Sequence, residues 1–159
     1  MSQSKPRTCL TIQDLTVGMN FELPYEVTEE DVQKFGEISG DFNPAHFDDD
    51  YAAGTRFGKR IAHGMISVAK FSGIFGMDLP GLGAIWAGQK VKFLAPVYLN
   101  EPYTAKAEVI EVGEKSVKLR TTCSDAEGNH VLEGEGVLYP IPKKIKDGMG
   151  DQLSQLLQS

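Results

Sequence analysis

The chain has 159 residues, of which 41% are hydrophobic and 24% are charged. That length suits one domain with its own hydrophobic core, and no apolar run approaches the ~20 residues that span a bilayer. The net charge of −6 disfavours nucleic-acid binding, because that function needs a basic surface to neutralise phosphates. We therefore expect one globular domain, with neither membrane insertion nor a nucleic-acid partner.

Residues 1–15 carry basic side chains but lack the apolar segment and cleavage site of a secretory signal. They predict a short, disordered lead-in. Cys9 lies in this segment and Cys123 lies in a predicted strand, so the two cysteines offer no disulfide framework. A reducing, cytoplasmic setting is expected.

A strand is predicted over residues 21–28, where apolar and polar side chains alternate, and Pro24 confines it to an edge or an irregularity. Thr28 and Asp31 are typical of a helix start, with a hydroxyl at the N-cap and acids in the first turn. Apolar residues follow at helical spacing as far as Ile38. A helix is therefore predicted directly after the first strand.

A second helix, apolar nearly all round, is predicted over residues 64–79 and should be buried. Four strands are predicted after it, over residues 84–93, 103–112, 116–124 and 130–139. This order indicates an α+β domain, in which an antiparallel five-stranded sheet wraps around the buried helix. The domain is expected to span residues 16–142, and residues 143–159 are expected to form a polar tail with a short helix.

Three polar residues, Asp41, Asn43 and His46, crowd around Pro44 outside regular structure. A carboxylate and an imidazole can together accept and donate the two protons of a hydration. The same spacing is also typical of a turn in which Asp41 and Asn43 hydrogen-bond the backbone. Spacing alone leaves both interpretations open.

The same residues do not match known metal-binding patterns. A calcium loop that starts at Asp41 would place His46 where glycine is required and Ala52 where glutamate belongs. A zinc site built on His46 and His63 lacks evident further ligands. We predict that no metal binds.

Gly64 stands at the start of the predicted buried helix. Its amide could hydrogen-bond a carbonyl oxygen that gains negative charge, or the glycine could serve close packing alone. Basic residues nearby in the sequence could bind a small polyanion, although each of them could equally be a solvated surface charge. These residues are Arg56, Lys59, Arg60, Lys90 and Lys92.

An extended motif runs from Phe35 to Ala52: an aromatic residue, Ile38, Ser39-Gly40-Asp41-x-Asn43-Pro44-x-His46, and a small residue six positions later. This motif resembles the signature of the MaoC-like (R)-specific enoyl-CoA hydratases. The likeness continues at residues 61–65, 79–81, 88–89 and 93–97, and covers most of residues 16–141. Departures occur at residue 45, where alanine replaces a larger aliphatic residue, and at residues 100–102.

The resemblance implies a hot-dog fold with a helical overhanging segment that carries the active site, and a homodimer with two sites. It also implies reversible hydration of trans-2-enoyl-CoA to (3R)-3-hydroxyacyl-CoA in fatty-acid or polyhydroxyalkanoate metabolism. No metal or redox cofactor is implied, because the coenzyme A thioester is the substrate. Asp41 and His46 would be the acid/base pair, supported by Asn43, and the Gly64 amide would stabilise the enolate-like thioester oxygen.

The residues expected to bind the substrate are Ser72, Phe75, Leu132, Lys59 and Arg60. Ser72 would supply a supporting hydroxyl. Phe75 and Leu132 would line the acyl pocket, although both could equally be ordinary core residues. The bulk of Phe75 favours acyl chains of short to medium length.

Two other functions remain open, because one fold can support several activities. An acyl-CoA thioesterase would need a dedicated acid on the buried helix, and the sequence offers Asp78 alone, at its far end. A non-catalytic acyl-CoA-binding module would leave the Asp41/His46 pair without a role.

Overall fold

The computed structural model describes residues 5–158 of the chain. Residues 1–4 of the predicted lead-in and residue 159 of the predicted tail lie outside the described residues. The described chain forms an α+β domain in which one long helix packs on an antiparallel sheet. This arrangement is the hot-dog fold that the resemblance implies.

Five antiparallel strands form the sheet, in the order β1-β3-β4-β5-β2. Their bounds are β1 Asn20–Tyr25, β2 Ile85–Phe93, β3 Tyr103–Val112, β4 Val117–Ser124 and β5 His130–Tyr139. Buried and less buried side chains alternate along β3, as expected for a strand with one face on the core. The predicted strands are confirmed to within a few residues. Pro24 lies on the edge strand β1, where its missing N–H is tolerated.

Three helices, α1 (Glu29–Ser39), α2 (Pro44–Phe47) and α3 (Asp49–Ala53), precede the long helix α4 (Gly64–Met77). The predicted start of α1 is confirmed. Thr28 Oγ1 accepts a hydrogen bond from the Asp31 N–H at 3.1 Å, and the Asp31 carboxylate accepts one from the Thr28 N–H at 2.9 Å. The helix ends at Gly40, whose φ of 77° is a left-handed conformation that glycine adopts without strain. The chain therefore turns sharply just before Asp41.

Helix α4 packs one face against the sheet, and its residues Phe71, Ile74 and Phe75 are buried in the core. The opposite face is exposed: Met65 is 50% exposed, and Ser72 also lies at the surface. The prediction of a helix buried all round is therefore wrong for the single chain, because the sheet covers one side of the helix.

The N-terminal segment packs against the far end of α4, so the prediction of a disordered lead-in is wrong for its described part. The Arg7 guanidinium forms an ion pair with the Asp78 carboxylate, and Thr8 Oγ1 donates to the Asp78 carbonyl oxygen at 2.6 Å. Cys9 and Leu15 are buried. The segment is ordered because it buries apolar side chains and pairs its arginine with a carboxylate that is distant in the sequence.

Two short helices, α5 (Lys143–Gly148) and α6 (Asp151–Leu157), follow the sheet, and α6 contains the leucines that predict a helix in the tail. Lys146 Nζ lies 3.3 Å from Asp14 Oδ2, which joins the tail to the N-terminal segment. No helix within residues 5–158 is long and apolar enough to cross a membrane.

Candidate active site

A series of backbone turns holds the segment between α1 and α2. The Asp41 N–H donates to Ser39 Oγ at 3.1 Å, and the Asn43 N–H donates to Asp41 Oδ1 at 3.1 Å. Asn43 then caps α2, since its Oδ1 accepts from the Ala45 N–H at 3.0 Å, and Pro44 fills the first helical position. The turn interpretation is therefore confirmed. It uses Asp41 Oδ1 and leaves Oδ2 without a hydrogen bond inside the described chain.

His46 lies on α2 and faces this second oxygen of Asp41. Its Nδ1 lies 2.7 Å from the Ile61 carbonyl oxygen. Because a carbonyl oxygen only accepts, Nδ1 carries the hydrogen, and Nε2 of the neutral ring is an acceptor. Nε2 lies 3.8 Å from Asp41 Oδ2. The two groups are too far apart for a direct hydrogen bond, but they can share one bridging water.

The Asp41/His46 pair borders a cavity of about 670 Å³, a volume typical of small-molecule sites. Most of its wall is apolar, with Phe35, Phe57, Ile61, Met65, Phe93, Leu94, Val97, Tyr98, Val131 and Leu132 among the lining residues. The more polar part of the wall is formed by Asp41, His46, Arg56, His63 and Ser67. An apolar group can therefore lie beside the pair.

Gly64 lines the same cavity as the first residue of α4. The first amides of a helix lack partners within the helix, and the Gly64 N–H has no backbone acceptor among residues 5–158. The ring of Phe93 packs directly against this glycine. The position therefore combines close packing with an amide that is available to an oxygen atom in the cavity.

A family model described as "MaoC like domain" matches residues 13–132. The chain belongs to the MaoC-like family. It is 40% identical over 136 residues to the 3-hydroxybutyryl-CoA dehydratase of Methylorubrum extorquens, and the aligned region covers 85% of this chain and 86% of that protein. It is 41% identical over 128 residues to the (R)-specific enoyl-CoA hydratase of Rhodospirillum rubrum, and the aligned region covers 79% of this chain and 88% of that protein.

Solved structures of relatives share the fold of this MaoC-like chain. The (R)-hydratase from A. caviae involved in PHA biosynthesis matches with a TM-score of 0.79 at 37% identity, over 81% of this chain and 99% of that chain. An R-hydratase from Pseudomonas aeruginosa matches with a TM-score of 0.81 at 35% identity, over 88% of this chain and 90% of that chain. These similarities confirm the predicted family and fold.

Two residues predicted to line the acyl pocket, Phe75 and Leu132, and Ser72, predicted to supply a supporting hydroxyl, lie in different environments of the MaoC-like domain. Leu132 lines the cavity. Phe75 packs against the rings of Phe71 and Trp86 in the core, and Ser72 is exposed on α4; neither belongs to the wall of this cavity in the described chain. The fold therefore groups Leu132, but not Ser72 or Phe75, with the Asp41/His46 pair of the same chain.

The two basic residues predicted to bind the substrate form ion pairs within the described chain. Lys59 Nζ lies 2.6 Å from a carboxylate oxygen of Glu101. The Arg60 guanidinium lies 2.7 Å from Glu29 and 2.8 Å from Asp49. Hydrogen bonding between Arg60 and Glu29 raises the pKa of the arginine and lowers the pKa of the glutamate. These contacts join α1, α3 and the loop before α4.

The other basic residues are dispersed in the MaoC-like domain. Arg56 lines the cavity, and its guanidinium lies 4.9 Å from the centre of the Phe57 ring. Lys90 and Lys92 lie on β2, in a separate pocket that also contains Glu133. The five basic residues therefore do not form one patch within the described chain.

His63 is a site residue that sequence reasoning considered only as a metal ligand. It is 3% exposed, and its Nε2 lies 2.9 Å from the Asp41 carbonyl oxygen. The centre of its ring lies 3.9 Å from that of His46. Two features of the sequence could have indicated that His63 lies at the site: it directly precedes Gly64 at the start of α4, and it falls within the family-like segment 61–65.

Asp41, His46 and His63 offer ligand atoms within 4.8 Å of one another. However, Nε2 of His63 and Nδ1 of His46 each face a carbonyl oxygen, so each carries a hydrogen. The His63 atom near Asp41 Oδ2 is this protonated Nε2, 3.9 Å away, so the unprotonated atoms that face each other are His46 Nε2 and Asp41 Oδ2, which are fewer donors than a zinc site uses. The donor set in this arrangement therefore does not fit a zinc ion.

Proposed function

We propose that this chain catalyses the reversible hydration of trans-2-enoyl-CoA to (3R)-3-hydroxyacyl-CoA. The observation that carries the proposal is the 3.8 Å separation of Asp41 Oδ2 and His46 Nε2 at the wall of a largely apolar cavity. Two relatives that are 40% and 41% identical are named as a 3-hydroxybutyryl-CoA dehydratase and an (R)-specific enoyl-CoA hydratase.

The pair suits water activation because both of its facing atoms are hydrogen-bond acceptors. A water about 2.8 Å from each atom would donate both hydrogens to the pair and direct a lone pair into the cavity. Its oxygen attacks C3 of the enoyl thioester while the pair accepts one proton. The second hydrogen stays in the new hydroxyl group, and the pair returns one proton to C2. The net change is the addition of one water.

The amide of Gly64 is the proposed donor to the thioester oxygen. That oxygen gains negative charge when C3 is attacked, and an amide at a helix start is oriented to stabilise such charge. The absence of a backbone acceptor for this N–H within residues 5–158 supports the role. Asn43 would support the reaction indirectly, by capping α2 and holding the Asp41 turn.

The chemistry in this proposal needs neither a metal nor a redox cofactor, because water is the nucleophile and the pair handles the protons. We place the reaction in a reducing, cytoplasmic setting, where the free thiols of Cys9 and Cys123 are stable.

We also propose that two copies associate. Three apolar residues of the cavity wall are exposed in the single chain: Met65 by 50%, Phe93 by 53% and Leu94 by 42%. A second copy that covers them and the open face of α4 would remove this apolar surface from water. Analytical ultracentrifugation should give twice the chain mass of 17.4 kDa, and a monomer mass would contradict the proposal.

A thioesterase is less compatible with the site. Helix α4 contains neither aspartate nor glutamate, and Asp78 at its end is buried in the ion pair with Arg7. An assay with a thiol-reactive dye should therefore detect no release of free coenzyme A above the rate without enzyme. Rapid thiol release without hydration would favour the thioesterase.

The proposal is tested by following the loss of enoyl-thioester absorbance over substrates from crotonyl-CoA to dodecenoyl-CoA, with the configuration of each product determined. We expect (3R) products. The series also tests the sequence-based expectation of higher kcat/KM for short and medium chains, which rests on Phe75, a residue outside the cavity wall of the described chain. A (3S) product, or no hydration of any substrate, would contradict the function. A higher kcat/KM for dodecenoyl-CoA than for crotonyl-CoA would contradict the chain-length expectation alone.

Two substitutions separate chemistry from folding. Asp41→Asn keeps an oxygen for the turn and removes the charge, and His46→Asn keeps a donor near the Ile61 carbonyl and removes Nε2. Each should lower kcat by on the order of 10²–10⁴ while the protein stays folded. Asp50→Asn, at an exposed acid on α3, is the matched control and should retain wild-type kcat. Wild-type activity in Asp41→Asn or His46→Asn would exclude the proposed roles.

A further inference from the structure

We infer that His63 is a positioning residue that fixes the orientation of the Asp41 carboxylate relative to the His46 ring. The inference rests on the proposed function, since it assigns to His63 the geometry of the pair that activates water. His63 contacts both members of the pair, and its peptide carbonyl group is joined directly to the Gly64 nitrogen. One buried ring therefore connects the three groups that the mechanism uses.

The first contact fixes the backbone of Asp41. His63 Nε2–H donates to the Asp41 carbonyl oxygen at 2.9 Å, while the Asp41 Oδ1 atom accepts from the Asn43 N–H. The Asp41 side chain is 49% exposed and lies outside regular structure, so few other contacts restrain it. The two hydrogen bonds together direct Oδ2 toward His46.

The second contact fixes the plane of the His46 ring. The two imidazole rings lie 3.9 Å apart between centres and are tilted by 30°. The hydrogen bond from His46 Nδ1 to the Ile61 carbonyl oxygen holds one edge of the ring, and the His63 ring covers one face. Rotation of His46 away from Asp41 is opposed by both contacts.

The surroundings of His63 indicate that a histidine offers no advantage in packing at this position. Its side chain is 2% exposed and packs against Phe35, with ring centres 4.9 Å apart. Its Nδ1 is buried and has no hydrogen-bond partner within the described residues. A buried acceptor without a partner destabilises a fold, so an apolar ring would be the better core residue. The histidine is the choice that supplies Nε2–H to Asp41.

Three substitutions distinguish the hydrogen bond from the packing. His63→Phe keeps a ring and removes both nitrogens, and the melting temperature should change little, because loss of the unpaired Nδ1 offsets loss of the hydrogen bond to the exposed residue Asp41. His63→Asn keeps a donor near the Nδ1 position, which cannot reach Asp41. His63→Gln places an amide nitrogen near the Nε2 position and should restore part of the contact.

We expect kcat to fall by roughly 10- to 100-fold in His63→Phe and His63→Asn, with KM changed much less, because the substrate contacts stay in place. His63→Gln should retain a clearly higher kcat than either. His130→Gln, at an exposed position of β5, is the control and should match the wild type. Equal kcat in His63→Phe and the wild type would overturn the inference.

A second readout does not depend on turnover. The chain has three histidines, so nitrogen NMR of the imidazole rings can be assigned with the single variants. His63 should appear as the Nε2–H tautomer, and the His46 signals should shift and broaden in His63→Phe but less so in His63→Gln. Unchanged His46 signals in His63→Phe would refute the positioning role. Failure of the wild type to hydrate any enoyl-CoA would overturn the proposed function and leave this test of geometry valid.

Discussion

The ring of Phe93 lies against Gly64, with its Cε1 atom 2.6 Å from the point that a β-carbon at residue 64 would occupy. Any side chain at this position must displace Phe93 from the cavity wall. An alanine here therefore reports on packing, while the backbone N–H of residue 64 is unchanged. A substitution that also removes the N–H is needed to test the proposed hydrogen bond.

Proline is that substitution, because residue 64 is the first residue of α4, where proline is tolerated. The φ of −60° and ψ of 126° at His63 suit a residue that precedes proline. Gly64→Pro and Gly64→Ala add a similar clash with Phe93, but only proline lacks the N–H. We expect kcat in Gly64→Pro to be lower than in Gly64→Ala by on the order of 10²–10³. Equal kcat values would exclude the amide as the donor to the thioester oxygen.

Loss of Arg60 should destabilise the domain through its ion pairs with Glu29 and Asp49. Arg60→Ala should lower the free energy of unfolding by roughly 1–2 kcal/mol at pH 7, measured by urea denaturation. Arg60 lowers the pKa of Glu29, so the contribution is present above the ordinary value of 4.5 and is lost as the pH falls below it. The difference between wild type and Arg60→Ala should therefore shrink at pH 3.5. Lys34→Ala, which removes an exposed pair on α1, should show no comparable pH-dependent loss.

The ion pair between Arg7 and Asp78 predicts that the N-terminal segment contributes to stability. Arg7→Ala leaves the Asp78 carboxylate, which is 4% exposed, without its cation and should cost roughly 1–3 kcal/mol in urea denaturation. Asp78→Asn in the same chain should recover part of the loss, because it removes the unpaired charge. If Arg7→Ala unfolds at the same urea concentration as the wild type, the segment does not stabilise the fold.

The thiol of Cys123 predicts a loss of stability at alkaline pH. Burial raises its pKa to about 11, from an ordinary value of 9.0. Above pH 9 the unfolded chain ionises this thiol while the folded chain keeps it neutral, so the contribution is complete below pH 9 and is lost as the pH rises through 11. The loss is on the order of 2–3 kcal/mol.

Urea denaturation of the wild type and Cys123→Ala between pH 8 and pH 11 measures this loss as a difference in slope. Burial raises the pKa of Tyr25, and Cys123 raises it further, so the same comparison in a Tyr25→Phe background is needed to isolate the thiol. Parallel slopes would contradict the prediction.

Features determined by neighbouring residues were predictable from the sequence. The capping box of Thr28 and Asp31 operates within one helical turn, and the alternation along the strands follows from one buried face. The Asp41 and His46 pair also lies within six residues, so its motif identifies both members. The turn and the reactive pair were competing interpretations, and the structure shows that they are compatible, since Asp41 Oδ1 forms the turn and Oδ2 lies 3.8 Å from His46 Nε2.

Features that depend on distant contacts were not predictable. His63 reaches Asp41 across 22 residues, and Arg7 reaches Asp78 across 71. Lys59 has other basic residues beside it in the sequence, but it pairs with Glu101, 42 residues away. Neighbouring residues in the sequence do not indicate which acid pairs with each basic side chain, because the packing of α1, α3 and the sheet determines the partner.

Pro24 affects which edge of the sheet can pair with a strand from another copy of the chain. The outer strands of the sheet formed by residues 20–139 are β1 and β2, and a proline on β1 removes one donor that an incoming strand would need. Strand addition is therefore disfavoured at β1 and left to the β2 side. Copies that join through β2 present a β1 strand at each outer end, so such an assembly closes at two chains instead of extending into a fibre.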